Sequence, residues 1–138
     1  MMKLPELIVL DVGHGNCAVL RDTNGVIVID CPHGATLIET LEHLLIQEIS
    51  HILISHADAD HIAGIINLLS HENIKVHNVH LNPDLLRKTE IWKDLLIALK
   101  DARKRFGTVV SSELTKKKTG QLNVGQVVVE ILFPTPEL

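Results

Sequence analysis

Short apolar runs separated by polar turns make up the first third of the chain, a pattern typical of small β-strands. The apolar runs occupy residues 7–11, 17–21 and 26–30. Between the second and third runs, the sequence DTNG at residues 22–25 favours a tight hairpin turn. We therefore predict that the chain opens with an antiparallel meander of three strands.

Helical periodicity follows this meander. Thr36 and Glu39 fit a capping box, and apolar residues recur after them at helical spacing. The buried side of this helix is predicted to consist of Leu37, Ile38, Leu41, Leu44 and Leu45.

Strands and helices alternate from residue 51 onward. Strands are predicted at residues 51–55, 75–81 and 108–111, and helices at residues 60–71 and 83–106. This order implies an α/β protein with helices layered against a mixed sheet, and ligands bind at strand ends in such sheets. We expect residues 1–138 to form a single domain.

The second half of the chain carries further boundary signals. Asn82 and Pro83 are expected to start the longest helix, and Gly107 to stop it. A final strand is predicted over residues 127–133, and the lysines at 116–118 are assigned to a solvated loop. The buried stripe of the longest helix is predicted to be Trp92, Leu95, Leu96, Leu99 and Phe106.

Composition narrows the functional classes. With 46% apolar residues, the chain is not of the disordered class, and with 2% aromatic residues it has few side chains for stacking on nucleic-acid bases. The formal net charge of −4 requires a local basic patch for any binding to nucleic acid. Nine histidines in 138 residues are the one compositional value that points to chemistry.

Cysteine content and hydropathy suggest the compartment. Cys17 and Cys31 lie in apolar, strand-like runs, so we expect two reduced, buried thiols. No signal peptide is visible, and no apolar run approaches the roughly 20 residues of a membrane span. We therefore expect a cytoplasmic protein without a membrane partner.

Four metal-capable side chains follow the apolar run at 51–55. They are His56, Asp58, Asp60 and His61, and they stand where a buried strand gives way to a helix. Imidazoles and carboxylates at that position could hold two divalent metals, His56 and Asp58 on one and Asp60 and His61 on the other. The alternative is a polar loop in which Asp58 or Asp60 caps the helix. Ser55, just before them, is expected to bond locally to the backbone.

A family resemblance adds to this pattern. The sequence SHADADHIAG at residues 55–64 resembles the HxHxDH signature of the metallo-β-lactamase superfamily, with Asp58 in place of the second histidine. This HxDxDH form resembles the branch that contains the ComEC/Rec2 competence proteins and their free-standing soluble relatives. Residues 10–16 (LDVGHGN), 28–30 (VID) and 129–134 (VEILFP) resemble further stretches of that branch.

The resemblance implies an αββα sandwich with metals at one edge between the two sheets. It implies that His56, Asp58, Asp60 and His61 are metal ligands, and that Asp60 also positions the hydrolytic water. Asp30 then orients the ligands without binding the metals itself. His14, in the opening turn, is likewise placed behind the ligands.

The activity implied is that of a metal-dependent hydrolase, acting on phosphodiester bonds of DNA or a nucleotide through a metal-bound hydroxide. The cofactor is a divalent metal, zinc or manganese. Asp58 adds an oxygen ligand where most relatives have a nitrogen, which shifts the preference from zinc towards harder ions such as manganese.

The chain departs from the family pattern in its second half. No Gly-Asp pair follows the motif, although the family takes further metal ligands from such a segment. We therefore expect the N-terminal half of the fold, completed by further sequence, a second subunit or a homodimer. The alternative function is a non-catalytic half-domain that acts as an interaction module.

Overall fold

The computed structural model describes residues 5–13, 15–32, 34–55, 59–82 and 89–132; of residues 59–61 it describes the backbone only. Within these residues one six-stranded sheet forms, with the strands in the same order as in the chain. The strands are β1 (Glu6–Val9), β2 (Ala18–Asp22), β3 (Gly25–Ile29), β4 (Glu48–Ile54), β5 (Lys75–Leu81) and β6 (Val109–Ser111).

The sheet is mixed, as the sequence predicts. The first three strands pair antiparallel, and the DTNG turn joins β2 to β3 with Asp22 opposite Gly25. The strands β3, β4, β5 and β6 are parallel neighbours. Their carboxyl ends therefore lie at one edge of the sheet, which we call the carboxyl edge.

The helices supply a second layer. They are α1 (Thr36–His43), α2 (Ala59–Leu69) and α3 (Glu90–Phe106), and each joins two neighbouring parallel strands. Their apolar sides share one core with one face of the sheet, and Ile52, Ile62 and Leu95 are fully buried there. This arrangement confirms the predicted α/β class. None of the helices in the described part of the chain combines the length and apolar content needed to cross a membrane.

Two predicted helix starts are wrong. Ala35, rather than Thr36, is the N-cap residue of α1, and it makes no side-chain cap, so the capping box does not form. The helix α3 begins at Glu90 because the Thr89 hydroxyl accepts a hydrogen bond from the Trp92 N–H at 3.2 Å. Asn82 is therefore not its cap, and Pro83 lies outside the described residues.

Two residues assigned to buried stripes are exposed. Leu45 is 87% exposed because α1 ends at His43 and Leu45 itself adopts a positive φ of 59°. Leu96 is 46% exposed, on the side of α3 that faces β6, the edge strand. Helical spacing alone had assigned both residues to the buried sides of their helices.

The second face of the sheet is covered by the segment that follows β6. Leu114, Leu122 and Val124 from this segment pack against Ile27 and Leu53 of the sheet. A 3₁₀ turn, Lys116–Lys118, lies within it where a solvated loop was predicted, and Lys118 is half-buried.

The strand predicted at residues 127–133 is not present in the described part, residues 127–132. Exposure alternates along these residues, as it would in a strand. However, the Val129 N–H donates to the Asn123 side chain at 2.8 Å and the Ile131 N–H donates to the Thr119 hydroxyl at 2.9 Å. Side chains, rather than a neighbouring strand, therefore satisfy these two N–H groups.

Asp22 fastens this covering segment to the hairpin. Its carboxylate accepts the Val127 N–H at 2.8 Å and the Thr23 N–H at 2.7 Å. The Val127 bond, with the bonds from Thr23, holds the pKa of Asp22 below its ordinary value. Gly125 permits this approach, since a Cβ there would lie 2.3 Å from the Asp22 carboxyl carbon.

Candidate metal centre

Three polar residues follow directly after three parallel strands. Asp30 comes after β3, Ser55 after β4 and Asn82 after β5. Since these strands are parallel neighbours, the three residues meet at the carboxyl edge, immediately before the stretch that starts with His56.

Hydrogen bonds connect these residues across the three strands. The Asp30 carboxylate accepts the Ser55 N–H at 2.8 Å and the Ser55 hydroxyl at 2.5 Å. The Asn82 side-chain amide donates to the Ser55 carbonyl oxygen at 3.1 Å. Ser55 therefore makes a bond across 25 residues of sequence, which the expectation of a local bond did not include.

The backbone at Asp30 is unusual. Its φ is +49°, in the left-handed region that Asp tolerates better than most residues. The side chain is 5% exposed. The bend points a buried carboxylate at the end of the neighbouring strand, and the two bonds to Ser55 fix that direction.

The helix α2 packs tightly against the residues after Asp30. The Gly64 N–H donates to the Cys31 carbonyl oxygen at 3.0 Å. A Cβ at Gly64 would lie 2.4 Å from the Pro32 oxygen and 2.6 Å from the Cys31 sulfur. Only glycine permits this approach, so α2 is held at a fixed depth beside Asp30.

Cys17 and Cys31 are free, buried thiols, as predicted. They are hydrogen-bonded to each other, and this bond together with burial raises the pKa of Cys17. That thiol therefore stays protonated and acts as part of the core beside Asp30.

The predicted ligands are only partly placed. Asp60 and His61 lie in the first turn of α2, but their side chains are outside the described residues. His14, His56 and Asp58 lie outside the described residues altogether. No group of three or more histidine, cysteine, aspartate or glutamate side chains forms a metal cluster among the residues that are described.

A largely apolar cavity of about 420 Å³ opens beside the same edge. Its polar lining residues are Ser55, Asn82 and Glu130. Its apolar walls are Ile29, Leu53, Leu114, Val129, Ile131 and Leu132. The cavity lies on the second face of the sheet, next to the point where the candidate ligands begin.

A buried histidine pair lies on β4 and β5. His51 Nδ1 and His80 Nε2 are 2.9 Å apart, and His80 is 6% exposed. Burial, His51 and Lys118 lower the pKa of His80 to about 4, and burial, with smaller contributions from His77 and Lys118, lowers that of His51. Both rings are therefore neutral at pH 7, and they link two strands rather than serving the carboxyl edge.

Comparison with known protein families identifies the class. The model of the metallo-β-lactamase superfamily matches residues 10–135, which is nearly the whole chain. The chain therefore belongs to the metallo-β-lactamase superfamily, whose members generally bind divalent metals and hydrolyse their substrates. A search of the curated proteins gives no match.

Sequence reasoning missed the parts played by Ser55 and Asn82. The usable signal was position, because each polar residue follows the last apolar residue of a parallel strand. Strand ends of this kind converge, so three such residues on adjacent strands were candidates for mutual bonding.

Replacing Asp30 tests the link between the strand ends. We expect Asp30→Ala to lower the free energy of unfolding by roughly 2–4 kcal/mol, because it removes a charged acceptor from two donors of Ser55. Asp30→Asn is the matched variant, since Asn tolerates positive φ and keeps one acceptor oxygen; its loss should be clearly smaller. Urea denaturation measures both, and equal stability of the two variants and the wild type would refute the link.

Acid should destabilise the protein through His80. Its pKa in the folded state, about 4, lies below the ordinary 6.5, so the unfolded chain binds more protons between these values. Stability is therefore complete above pH 6.5 and falls as the pH drops towards 4. We expect His80→Asn to reduce the fall in melting temperature over this window by about 3–6 °C. The exposed His43→Asn is the control, and identical slopes in all three proteins would contradict the assignment.

Proposed function

We propose that this chain is a metal-dependent hydrolase of phosphodiester bonds, with metals bound by His56, Asp58, Asp60 and His61. Membership of the metallo-β-lactamase superfamily supports the reaction class. The bond between Asp30 and Ser55 supports the location of the proposed metal site, because it anchors the residue directly before His56 at the carboxyl edge.

The chemistry of the donor set fits divalent metals. Two imidazoles and two carboxylates are common ligands of zinc and manganese, and Asp58 favours the harder ion of the two. The proposed metals would activate a water molecule and neutralise charge on the phosphate oxygens.

The protein's own residues would perform the remaining tasks. Asp60 would orient the attacking water by accepting a hydrogen bond from it at a carboxylate oxygen. Asp30, through Ser55, would hold the start of the ligand loop in register with α2, and His14 would line the cleft. The cavity beside Ser55 and Asn82 is lined mainly by apolar side chains, with Glu130 as its one charged residue, and would accept the uncharged part of an ester.

A phosphodiester substrate follows from the HxDxDH pattern and from the ComEC/Rec2-like branch that it resembles. A hard, oxygen-rich site suits phosphate oxygens at least as well as amides. The net charge of −4 and the 2% aromatic content favour a small diester or a short strand end over a long duplex.

Metal loading and hydrolysis test this proposal. Chelator-treated protein reloaded with Mn²⁺ or Zn²⁺ should bind metal in calorimetry and cleave bis-p-nitrophenyl phosphate. His56→Ala and Asp60→Ala should each weaken metal binding by at least about tenfold and lose the hydrolysis. The exposed residues give matched controls, His43→Ala and Asp94→Ala, which should behave as wild type. If the site variants bound metal and cleaved like the controls, the proposal would fail.

An interaction module completed by a partner is the second candidate, and exposed apolar side chains on the second face of the sheet and on the segment that covers it favour this candidate. Ile8 packs into the helical core, so Leu7 and Val9 point to the opposite face, where they are 64% and 75% exposed. Val128 and Leu132, from the segment that covers this face, are 67% and 69% exposed. Exposed apolar surface of this kind is typical of an interface.

Light scattering distinguishes this candidate. A homodimer that uses the second face should dissociate in Val9→Asp, because the substitution places a charge in the apolar contact. Leu45→Asp is the matched control, since Leu45 is 87% exposed on a loop after α1. Aspartate also tolerates the positive φ at this position. A monomer of unchanged size in all three proteins would exclude the homodimer.

A further inference from the structure

A groove of about 620 Å³ lies between α3 and the edge strand β6. Its floor is apolar and its rim is basic. The floor consists of Leu96, Leu99 and Val110, and the rim of Lys100, Arg103 and Lys104. The groove is distant from the candidate metal centre, because α3 begins near the carboxyl edge and the basic residues lie in its second half, towards the opposite edge.

The rim cations lack carboxylate partners among the described residues. Elsewhere on α3, Lys93 pairs with Glu90 at 3.2 Å and Arg105 pairs with Asp101 at 2.9 Å. Lys100, Arg103 and Lys104 follow each other at helical spacing on the side that faces β6, and no acidic side chain lines the groove with them. Three cations without carboxylate partners therefore lie together beside an apolar groove, in a chain of net charge −4.

The strand β6 offers backbone hydrogen bonds beside these cations. It is the last strand in the sheet, so its outer edge has no neighbour among the described residues. It carries no proline or charged residue that would block pairing. Val110 of β6 and Leu96 of α3 both line the groove, and Leu96 is 46% exposed.

We propose that this groove binds an extended acidic peptide, which adds to β6 as a further strand. The peptide backbone would pair with β6, alternate apolar side chains would enter the floor, and glutamate or aspartate side chains would reach the three cations. The cations select the charge of the partner, and the open edge selects its extended form.

A peptide fits these features better than a nucleic acid strand. Leucine and valine line the floor, and no aromatic side chain is present there for base stacking. The position of Lys100, more than one turn before the end of α3, also argues against a role limited to the helix dipole, which acts within the last turn.

The test uses a short fluorescein-labelled peptide of alternating glutamate and valine, followed by fluorescence anisotropy on the wild-type protein. We expect saturable binding that weakens with salt, and no binding of the same peptide with lysine in place of glutamate. Amide NMR shifts should be concentrated at Val109–Ser111. A probe methylated on alternate backbone nitrogens cannot pair as a strand and should bind at least about tenfold more weakly.

Charge reversal locates the contact. Lys100→Glu combined with Arg103→Glu should weaken binding by at least about tenfold, because it replaces attraction by repulsion. Lys116→Glu combined with Lys117→Glu makes the same change in net charge at exposed sites away from the groove, and should alter binding by less than about twofold.

Three outcomes would overturn the proposal. The first is equal binding by both double variants, and the second is tighter binding of an oligothymidylate than of the acidic peptide. The third is a wild-type dimer that the Lys100→Glu and Arg103→Glu pair dissociates, since the occupant would then be a second copy. Metal binding and phosphodiester hydrolysis do not enter these measurements, so they are independent of the proposed function.

Discussion

The bond between the Asp30 carboxylate and Ser55 is the constraint on which the candidate site depends. It joins the ends of two parallel strands that are 25 residues apart in the chain, and the Asn82 amide extends the connection to a third strand. Hydrogen bonds from an N–H and a hydroxyl to a buried carboxylate are stronger than hydrogen bonds between neutral groups. They are also more directional than a packing contact. The HADADH stretch therefore starts from a fixed position in the structure.

Packing reinforces this constraint from the helical side. Gly64 lets α2 approach Cys31 and Pro32 more closely than any other residue would allow. The first turn of α2, which carries Asp60 and His61, is thereby tied to the loop that carries Asp30. Ser55 and α2 flank the proposed ligand stretch. Ser55 is bonded to the short segment after β3, and α2 packs against the same segment.

Much of the fold was predictable because local and long-range signals agree. The DTNG turn and the apolar runs on both sides of it predicted the hairpin, and the alternation after residue 51 predicted the parallel strands. The errors arose where two signals competed. Asn82 and Pro83 form a good helix start, but Asn82 is engaged by the Ser55 carbonyl, and Thr89 caps α3 instead. Leu96 has the spacing of the apolar stripe, but it is exposed at the groove beside β6. Helical spacing could not predict this exposure, because it does not show how far the neighbouring strand extends. For the site, a motif could nominate Asp30 as a supporting residue, but the partner of that carboxylate required the register of β3 against β4.

The identical order of strands in the chain and in the sheet has a consequence for synthesis. Each strand after β1 pairs with a strand that has left the ribosome before it. The sheet can therefore grow from β1 to β6 during translation without a later segment. The hairpins at the start need only short loops to close, whereas each parallel addition must first order its connecting helix. The Asp30 anchor becomes available when β4 docks, before α2 has left the ribosome in full. Vectorial assembly would therefore form the bond between Asp30 and Ser55 first, and α2 and Asn82 would add to this support as they dock.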